Sequence, residues 1–248
     1  MVQISAHKGG SEGVSPATYE AYEQALTSGA EYAEFDIRRT SDNVLVVYHD
    51  ARFGHAGPLV ADLAYEELCN RLGYVVPRVE EVMKLLAGRL IGHLDLKEVG
   101  YEEEVISLAL ATFGLEDFIV TTLEDKSICN IKKAYPAVKT ALSLGRGLKE
   151  IPWRYWAGIR RSELFPVSRV RSCGADWVAI NYKLARLGVI NACKRNGTGV
   201  MVWTVDSAEL IDEFVVDQRV DVLVTNRPRH AAGRRTALTA HEPGSAES

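Results

Sequence analysis

Short runs of β-branched and aliphatic residues recur along the whole chain, and longer stretches with apolar residues every three to four positions separate most of them. The runs cover residues 2–6, 32–37, 44–48, 90–96, 118–122, 139–144, 177–180, 200–205 and 222–225. The helical patterns cover 16–28, 78–86, 101–111, 126–134, 184–196 and 208–217. Such alternation builds parallel β/α units. A closed barrel takes eight strands, so one of the nine runs must lie off the ring. The run 44–48 is the candidate, because only Thr40-Ser41-Asp42-Asn43 separates it from Ile37. A parallel crossover needs a dozen or more residues, so these two strands should pair as a hairpin. The expected fold is therefore α/β: a (β/α)8 TIM barrel with an extra antiparallel β-hairpin after the second strand. A doubly wound sheet shows the same alternation but usually carries a GxGxxG turn after its first strand. Here that strand runs into Ala6-His7-Lys8-Gly9-Gly10 instead.

At 248 residues, 47% hydrophobic and 25% charged, the chain can bury a full core. One barrel over residues 1–229 is expected, with 230–248 as a flexible C-terminal tail rich in Ala, Gly, Ser and charge. A net charge of -4 argues against nucleic-acid binding, which needs an excess of Lys and Arg. Cys69, Cys129, Cys173 and Cys193 are widely spaced and read as reduced thiols. Neither a signal-like N-terminus nor a transmembrane stretch is legible, so cytoplasmic residence is the expectation. The segment 151–170 combines Trp153, Tyr155 and Trp156 with Arg154, Arg160 and Arg161. It reads as an outer amphipathic helix, with a lid over an anionic substrate as the alternative.

Three strands carry polar residues where a buried strand normally holds aliphatic ones. The first ends in His7, the second holds Glu34 and Asp36, and the 90–96 strand holds His93 and Asp95, followed by Lys97. Residues two apart on a strand share a face, so these groups converge if they point inward near the C-terminal rim. An acidic pair spaced like Glu34 and Asp36 arises by chance about four times in a chain with 33 acidic residues. Its place inside Tyr32-Ala33-Glu34-Phe35-Asp36-Ile37 is what makes it informative, since buried carboxylates are costly unless paired or metal-bound. Three converging carboxylates suit a hard divalent ion, Mg2+ or Ca2+, better than zinc. His49 ends the run 44–48, so two histidines flank the carboxylates. One imidazole can accept a proton or attack while the other protonates a leaving oxygen, as phosphodiester cleavage requires.

Several segments extend this pattern: Ala6-His7-Lys8-Gly9-Gly10, Gly29-Ala30-Glu31-Tyr32-Ala33-Glu34-Phe35-Asp36-Ile37, Val46-Val47-Tyr48-His49-Asp50, Leu94-Asp95-Leu96-Lys97, Val202-Trp203-Thr204-Val205-Asp206 and Val224-Thr225-Asn226-Arg227-Pro228. In content and order they resemble glycerophosphodiester phosphodiesterases, from residue 4 to about 229. The resemblance implies metal-dependent hydrolysis of a glycerophosphodiester or related small phosphodiester. It implies His7 and His49 as the catalytic pair and Glu34, Asp36 and Asp95 as metal ligands. Lys97 would face the phosphate and Trp203 would line the substrate pocket.

Four positions depart from the family pattern. Lys8 replaces an Arg, keeping the charge for substrate binding but losing the bidentate fork. Ser15-Pro16-Ala17-Thr18 replaces Pro-Glu-Asn-Thr. Asp95 replaces a Glu, as in spider-venom-type phospholipase D relatives, and the loop 51–58 is abbreviated. These changes leave open a lyase-like reaction in which a substrate hydroxyl forms a cyclic phosphate. A non-catalytic phosphodiester-binding barrel is a weaker alternative. An amidohydrolase-type barrel is excluded, because Ser5 and Gly9 stand where a His-x-His would need a second histidine.

Overall fold

The computed structural model describes residues 1–54, 57–148 and 151–240. Its strands are β1 (Gln3–Ala6), β2 (Tyr32–Arg39), β3 (Leu45–Val47), β4 (Ile91–Leu96), β5 (Phe118–Thr122), β6 (Thr140–Leu144), β7 (Trp177–Asn181), β8 (Gly199–Trp203) and β9 (Val222–Thr225). Eight close into a parallel barrel, with β1 bonded to both β9 and β2. The ninth, β3, pairs antiparallel with the outer half of β2, Ile37 opposite Val47. Asn43, at φ 61°, and a bond from Thr40 N–H to the Val44 carbonyl (3.0 Å) close that hairpin. The expected barrel with its added hairpin is the fold observed.

Helices α1 (Tyr19–Ala25), α2 (Tyr65–Leu72), α3 (Val79–Leu86), α4 (Glu102–Phe113) and α5 (Asp125–Ala134) accompany the first half. The second half carries α6 (Trp156–Leu164), α7 (Val167–Cys173), α8 (Tyr182–Leu184), α9 (Ile190–Lys194), α10 (Ala208–Val215) and α11 (Pro228–Thr239). Strand alternation sorts the apolar residues into two cores. Phe35, Ile37, Leu94, Val120, Leu142 and Val178 face the helices. Tyr32, Ile119, Ala141, Ala179, Met201 and Val222 fill the barrel interior. Both cores reflect the two-residue period of a strand buried on two faces.

Three segments differ from expectation. The stretch 184–196 is not one helix: Gly188, at φ 86°, breaks it into α8, a wide turn over Ala185–Val189 and α9. The flexible tail expected from residue 230 is corrected over 230–239, which lie in α11. There Ala231 is buried and Arg235 bonds Glu31 and the Val2 carbonyl, both at 2.9 Å. The rest of that expectation, residues 241–248, lies outside the described residues, as do His55 and Ala56 of the abbreviated loop. The segment 151–170 forms α6 and the start of α7. Helix α7 packs Val170 and Cys173 into the outer core, whereas α6 buries only Glu163. Ile159, Ser162 and Glu163 of α6 share a groove with Leu123, Glu124, Ser143 and Arg146 at the C-terminal ends of β5 and β6. Helix α6 therefore lies along the barrel rim rather than against its side.

Candidate active site

A cavity of about 340 Å³ opens at the C-terminal end of the barrel, where loops of this fold carry functional groups. His7, Glu34, His49, Asp95 and Lys97 line one side of it, and Leu123, Ala179, Trp203 and Val224 line the other. Of the expected site residues, Asp36 lies buried below the cavity lining, and Lys8 does not line it.

His7 is set by the tight turn His7–Gly9 after β1. Lys8 adopts left-handed φ 53°, held by its N–H on Glu34 Oε2 (2.7 Å) and by its carbonyl accepting from Ala17 N–H (2.8 Å). Gly9 comes next at φ 79°, and a Cβ there would meet the Ala21 backbone at 2.8 Å, so α1 can pack this close only against glycine. The His7 Nδ1 contacts Asn226 Oδ1 at 2.8 Å. The Asn226 amide is oriented by donating Nδ2–H to Asp206 Oδ2 (2.8 Å), and its backbone N–H bonds Asp206 Oδ1 (2.9 Å). An amide oxygen only accepts, so His7 carries its proton on Nδ1 and presents the lone pair of Nε2, 4.0 Å from Glu34 Oε2. Burial lowers the His7 pKa and holds the ring neutral; the Asn226 bond only partly opposes this.

Parallel pairing of β2 with β4 sets Glu34 beside His93 and Asp36 beside Asp95. One carboxylate oxygen from each of Glu34, Asp36 and Asp95 lies within 4.8 Å of the other two. Lys97 contacts Asp36 Oδ1 at 2.6 Å and also pairs with Asp95, while Lys8 Nζ lies 3.3 Å from Asp36 Oδ2. Burial pushes Asp36 up, but the Lys97 and Lys8 ammonium groups outweigh it and hold Asp36 well below the usual carboxylate range. Glu34 goes the other way: burial first, then the Asp36 and Asp95 charges, raise it well above its ordinary value. Burial also opposes the charge on Lys97, yet Asp95, Asp36 and Glu34 together raise its pKa.

Deeper in the same cavity His93 is buried, and burial pushes its imidazole down to about 4. Thr121 gives its one hydroxyl proton to Asp95 Oδ1 (2.8 Å), so it accepts from His93 Nε2–H (3.1 Å), and His93 Nδ1 accepts from the Ser5 hydroxyl (3.0 Å). A neutral relay thus fixes the Asp95 carboxylate from below. At the rim, His49 is half exposed with Nδ1 on Asp50 Oδ1 (2.7 Å). Its carbonyl accepts from Arg38 Nε (2.9 Å), anchoring the loop after β3. On the opposite wall the Trp203 indole donates to the Ala179 carbonyl (2.9 Å). Gly145 comes directly after β6 at φ 113°, where a Cβ would meet Asn181 Cβ at 2.4 Å. The buried Glu163 of α6 accepts from the Gly145 and Arg146 N–H groups, both at 2.8 Å.

Asp206 and Asn226 lie within the segments 202–206 and 224–228 that carry the family resemblance, without a role assigned to them there, and Arg146 lies in none of those segments. The available signal is their position, since each lies just after a barrel strand, directly or within two or three residues.

The donor set can be tested against a divalent cation. Both Asp36 oxygens are buried and neither receives an aligned hydrogen bond, although two ammonium groups approach them. Three carboxylates face two lysines, and Glu34 carries the charge that burial disfavours. An all-oxygen site with one uncompensated negative charge fits a hard cation.

The glycerophosphoryl diester phosphodiesterase family model matches residues 7–230. A glycerophosphodiester phosphodiesterase of Caldanaerobacter subterraneus subsp. tengcongensis is 26% identical over 245 residues, covering 91% of this chain and 94% of that one. Among solved structures, a putative glycerophosphoryl diester phosphodiesterase from Agrobacterium tumefaciens superposes with TM-score 0.80 at 18% identity, covering 97% of this chain and 100% of that one. An Oleispira antarctica phosphodiesterase in complex with the product sn-glycerol-3-phosphate superposes with TM-score 0.73 at 17% identity, covering 94% and 96%. At such identities the structural likeness is one of fold. Together, the barrel, its imidazole-and-carboxylate mouth and the sequence matches define a phosphoric diester hydrolase. The chain belongs to the glycerophosphoryl diester phosphodiesterase family.

Proposed function

We propose that the protein hydrolyses a glycerophosphodiester or a related small phosphodiester, with Glu34, Asp36 and Asp95 holding a divalent cation, Mg2+ or Ca2+, and His7 and His49 moving protons. The observation that carries this is the placement of the His7 ring, whose Nδ1 contacts Asn226 Oδ1 at 2.8 Å and whose Nε2 lies 4.0 Å from Glu34 Oε2 beside the carboxylate cluster. The cation, when bound, would neutralise charge on the non-bridging phosphate oxygens. His7 Nε2 accepts a proton from the attacking water or attacks phosphorus itself. Asn226 and Asp206 keep the ring from turning and stabilise the Nδ1–H. His49, open to solvent and braced by Asp50, donates a proton from Nε2 to the departing alkoxide. Water thereby gives a phosphate monoester and a free alcohol, with one P–O bond formed and one broken.

Lys97 reaches the cavity and supplies positive charge to the phosphate. Lys8 acts indirectly, through Asp36, rather than through the direct substrate contact expected from its sequence position. Trp203 packs on the glycerol or headgroup side. The complex with sn-glycerol-3-phosphate formed by the Oleispira antarctica phosphodiesterase supports this substrate class.

Turnover of glycerophosphocholine, measured with EDTA and with added Mg2+ or Ca2+, tests the reading. Activity that EDTA leaves untouched would refute the metal assignment. Reaction in oxygen-18 water should label the phosphate monoester; an unlabelled first product would show attack by a substrate hydroxyl instead.

A further inference from the structure

Helix α6 and the residues flanking it leave Trp153 81%, Tyr155 52%, Trp156 43% and Phe165 71% exposed. Two of the chain's four tryptophans therefore stand in solvent within four residues of each other. This is not the outer face of a barrel helix. The inner side of α6 meets the ends of β5 and β6, and Glu163 ties it to Gly145 and Arg146, with Arg146 lining the cavity. The aromatic surface thus borders the mouth through which substrate enters.

Its charge is also distinct. Residues 153–165 hold three arginines against one glutamate, a net +2 in a chain whose total is -4; Arg160 pairs with Glu163, and Arg154 and Arg161 have no carboxylate partner among the described residues. Arg154 stacks over Tyr155, its guanidinium carbon 4.7 Å from the ring centroid, and Arg161 shares a shallow groove with Phe165. The Trp156 indole N–H bonds the Ile151 carbonyl at 2.8 Å, which fixes the ring at the surface. Indole and phenol rings interleaved with arginine favour the headgroup layer of a bilayer, where the apolar body is buried and the polar tips stay wet. Net positive charge adds attraction to anionic lipids.

We infer that the α6 rim, Trp153 to Phe165, is a docking surface for an anionic lipid bilayer and holds the cavity mouth against it. Docking requires no turnover, so it stands apart from the proposed catalytic chemistry. A soluble-substrate assay run beside it separates failure of one from failure of the other.

The test uses the full chain with vesicles of phosphatidylcholine alone and of phosphatidylcholine mixed with phosphatidylglycerol, read by co-sedimentation and by tryptophan emission. The protein should sediment with the mixed vesicles, with blue-shifted emission, and should dissociate at high salt. W153S/W156S should cut partitioning by at least ~10-fold, and R154S/R161S should do so for mixed vesicles. Hydrolysis of water-soluble glycerophosphocholine should stay within about twofold of the parent in both, since neither pair lines the cavity. If the tryptophan pair fails to fold by circular dichroism, the arginine pair, which removes only exposed groups, carries the test. Absence of vesicle binding would overturn the inference. So would equal binding of both double variants and the parent, or a concentration-dependent dimer that W153S/W156S abolishes, which would mark the surface as a contact between copies.

Discussion

The two walls of the cavity obey different physics. On the β2 and β4 side, Glu34, Asp36, His93, Asp95 and Lys97 crowd ionisable groups into the interior, where Lys97 and Lys8 offset Asp36 and Asp95 while Glu34 is left as the uncompensated carboxylate. On the β7 to β9 side, Ala179, Trp203 and Val224 form an apolar surface with one indole hydrogen bond. The first wall is costly to build and suited to chemistry; the second is stable alone and suited to holding an organic group. A barrel can divide labour this way because adjacent strands contribute to one mouth while each side chain keeps its own neighbours.

The sharpest way to break this contrast is His7→Ala. Turnover of glycerophosphocholine should fall by at least ~10³-fold, with the circular dichroism spectrum unchanged. Asn226→Ala should fall less, because it frees the ring without removing it. A variant at His7 with near-parent kcat would end its catalytic assignment.

The ionic wall should next betray itself in acid stability. The His93 pKa is about 4 in the folded state against 6.5 unfolded, so between those values the unfolded chain binds a proton that the native chain does not. The contribution of His93 to stability therefore rises with pH across this window and is lost as pH falls from 6.5 toward 4, by up to about 3 kcal/mol, while the raised Glu34 opposes it above its own ordinary value, so the difference between parent and variant isolates the histidine. Urea unfolding at several pH values measures this. His93→Asn should flatten that slope, and an unchanged slope would show that other groups produce it.

Cation binding should stabilise the fold by about 2.7 kcal/mol when the ion is a hundredfold above its Kd. The rise in Tm should vanish in Asp36→Asn, although that variant keeps the side chain's shape. A full metal-dependent shift in Asp36→Asn would remove Asp36 from the ligand set. Trp203→Ala, on the apolar wall, should have the smallest effect: KM for the soluble diester rising about tenfold with kcat nearly unchanged. A loss confined to kcat would mean that this wall also serves the chemical step.

Much of the architecture is legible in the sequence because strands and amphipathic helices advertise themselves by period. The strands 118–122 and 222–225 appear with the expected bounds, and the short link after Ile37 foretells the antiparallel β3. A single helix over 184–196 fails because its apolar spacing is helical while Gly188 adopts a left-handed conformation that spacing does not encode. A free tail from residue 230 fails because Arg235 gains its place from Glu31, 204 positions earlier in the chain, and from the edge of β1. The convergence of Glu34, Asp36 and Asp95 is legible for the opposite reason: their alternation inside apolar strands leaves only one face for them.

By itself, then, the sequence determined the features that local repetition dictates: eight strands for a ring, one strand beside it, and polar residues turned inward at the strand ends. Tertiary structure alone decided which partners those residues meet. It brought Asp206 and Asn226 to His7, set Lys8 on Asp36 instead of at the cavity wall, and laid α6 along the rim. Periodicity constrains which way a side chain points, but hydrogen bonds and ion pairs between distant segments exist only once the ring has closed.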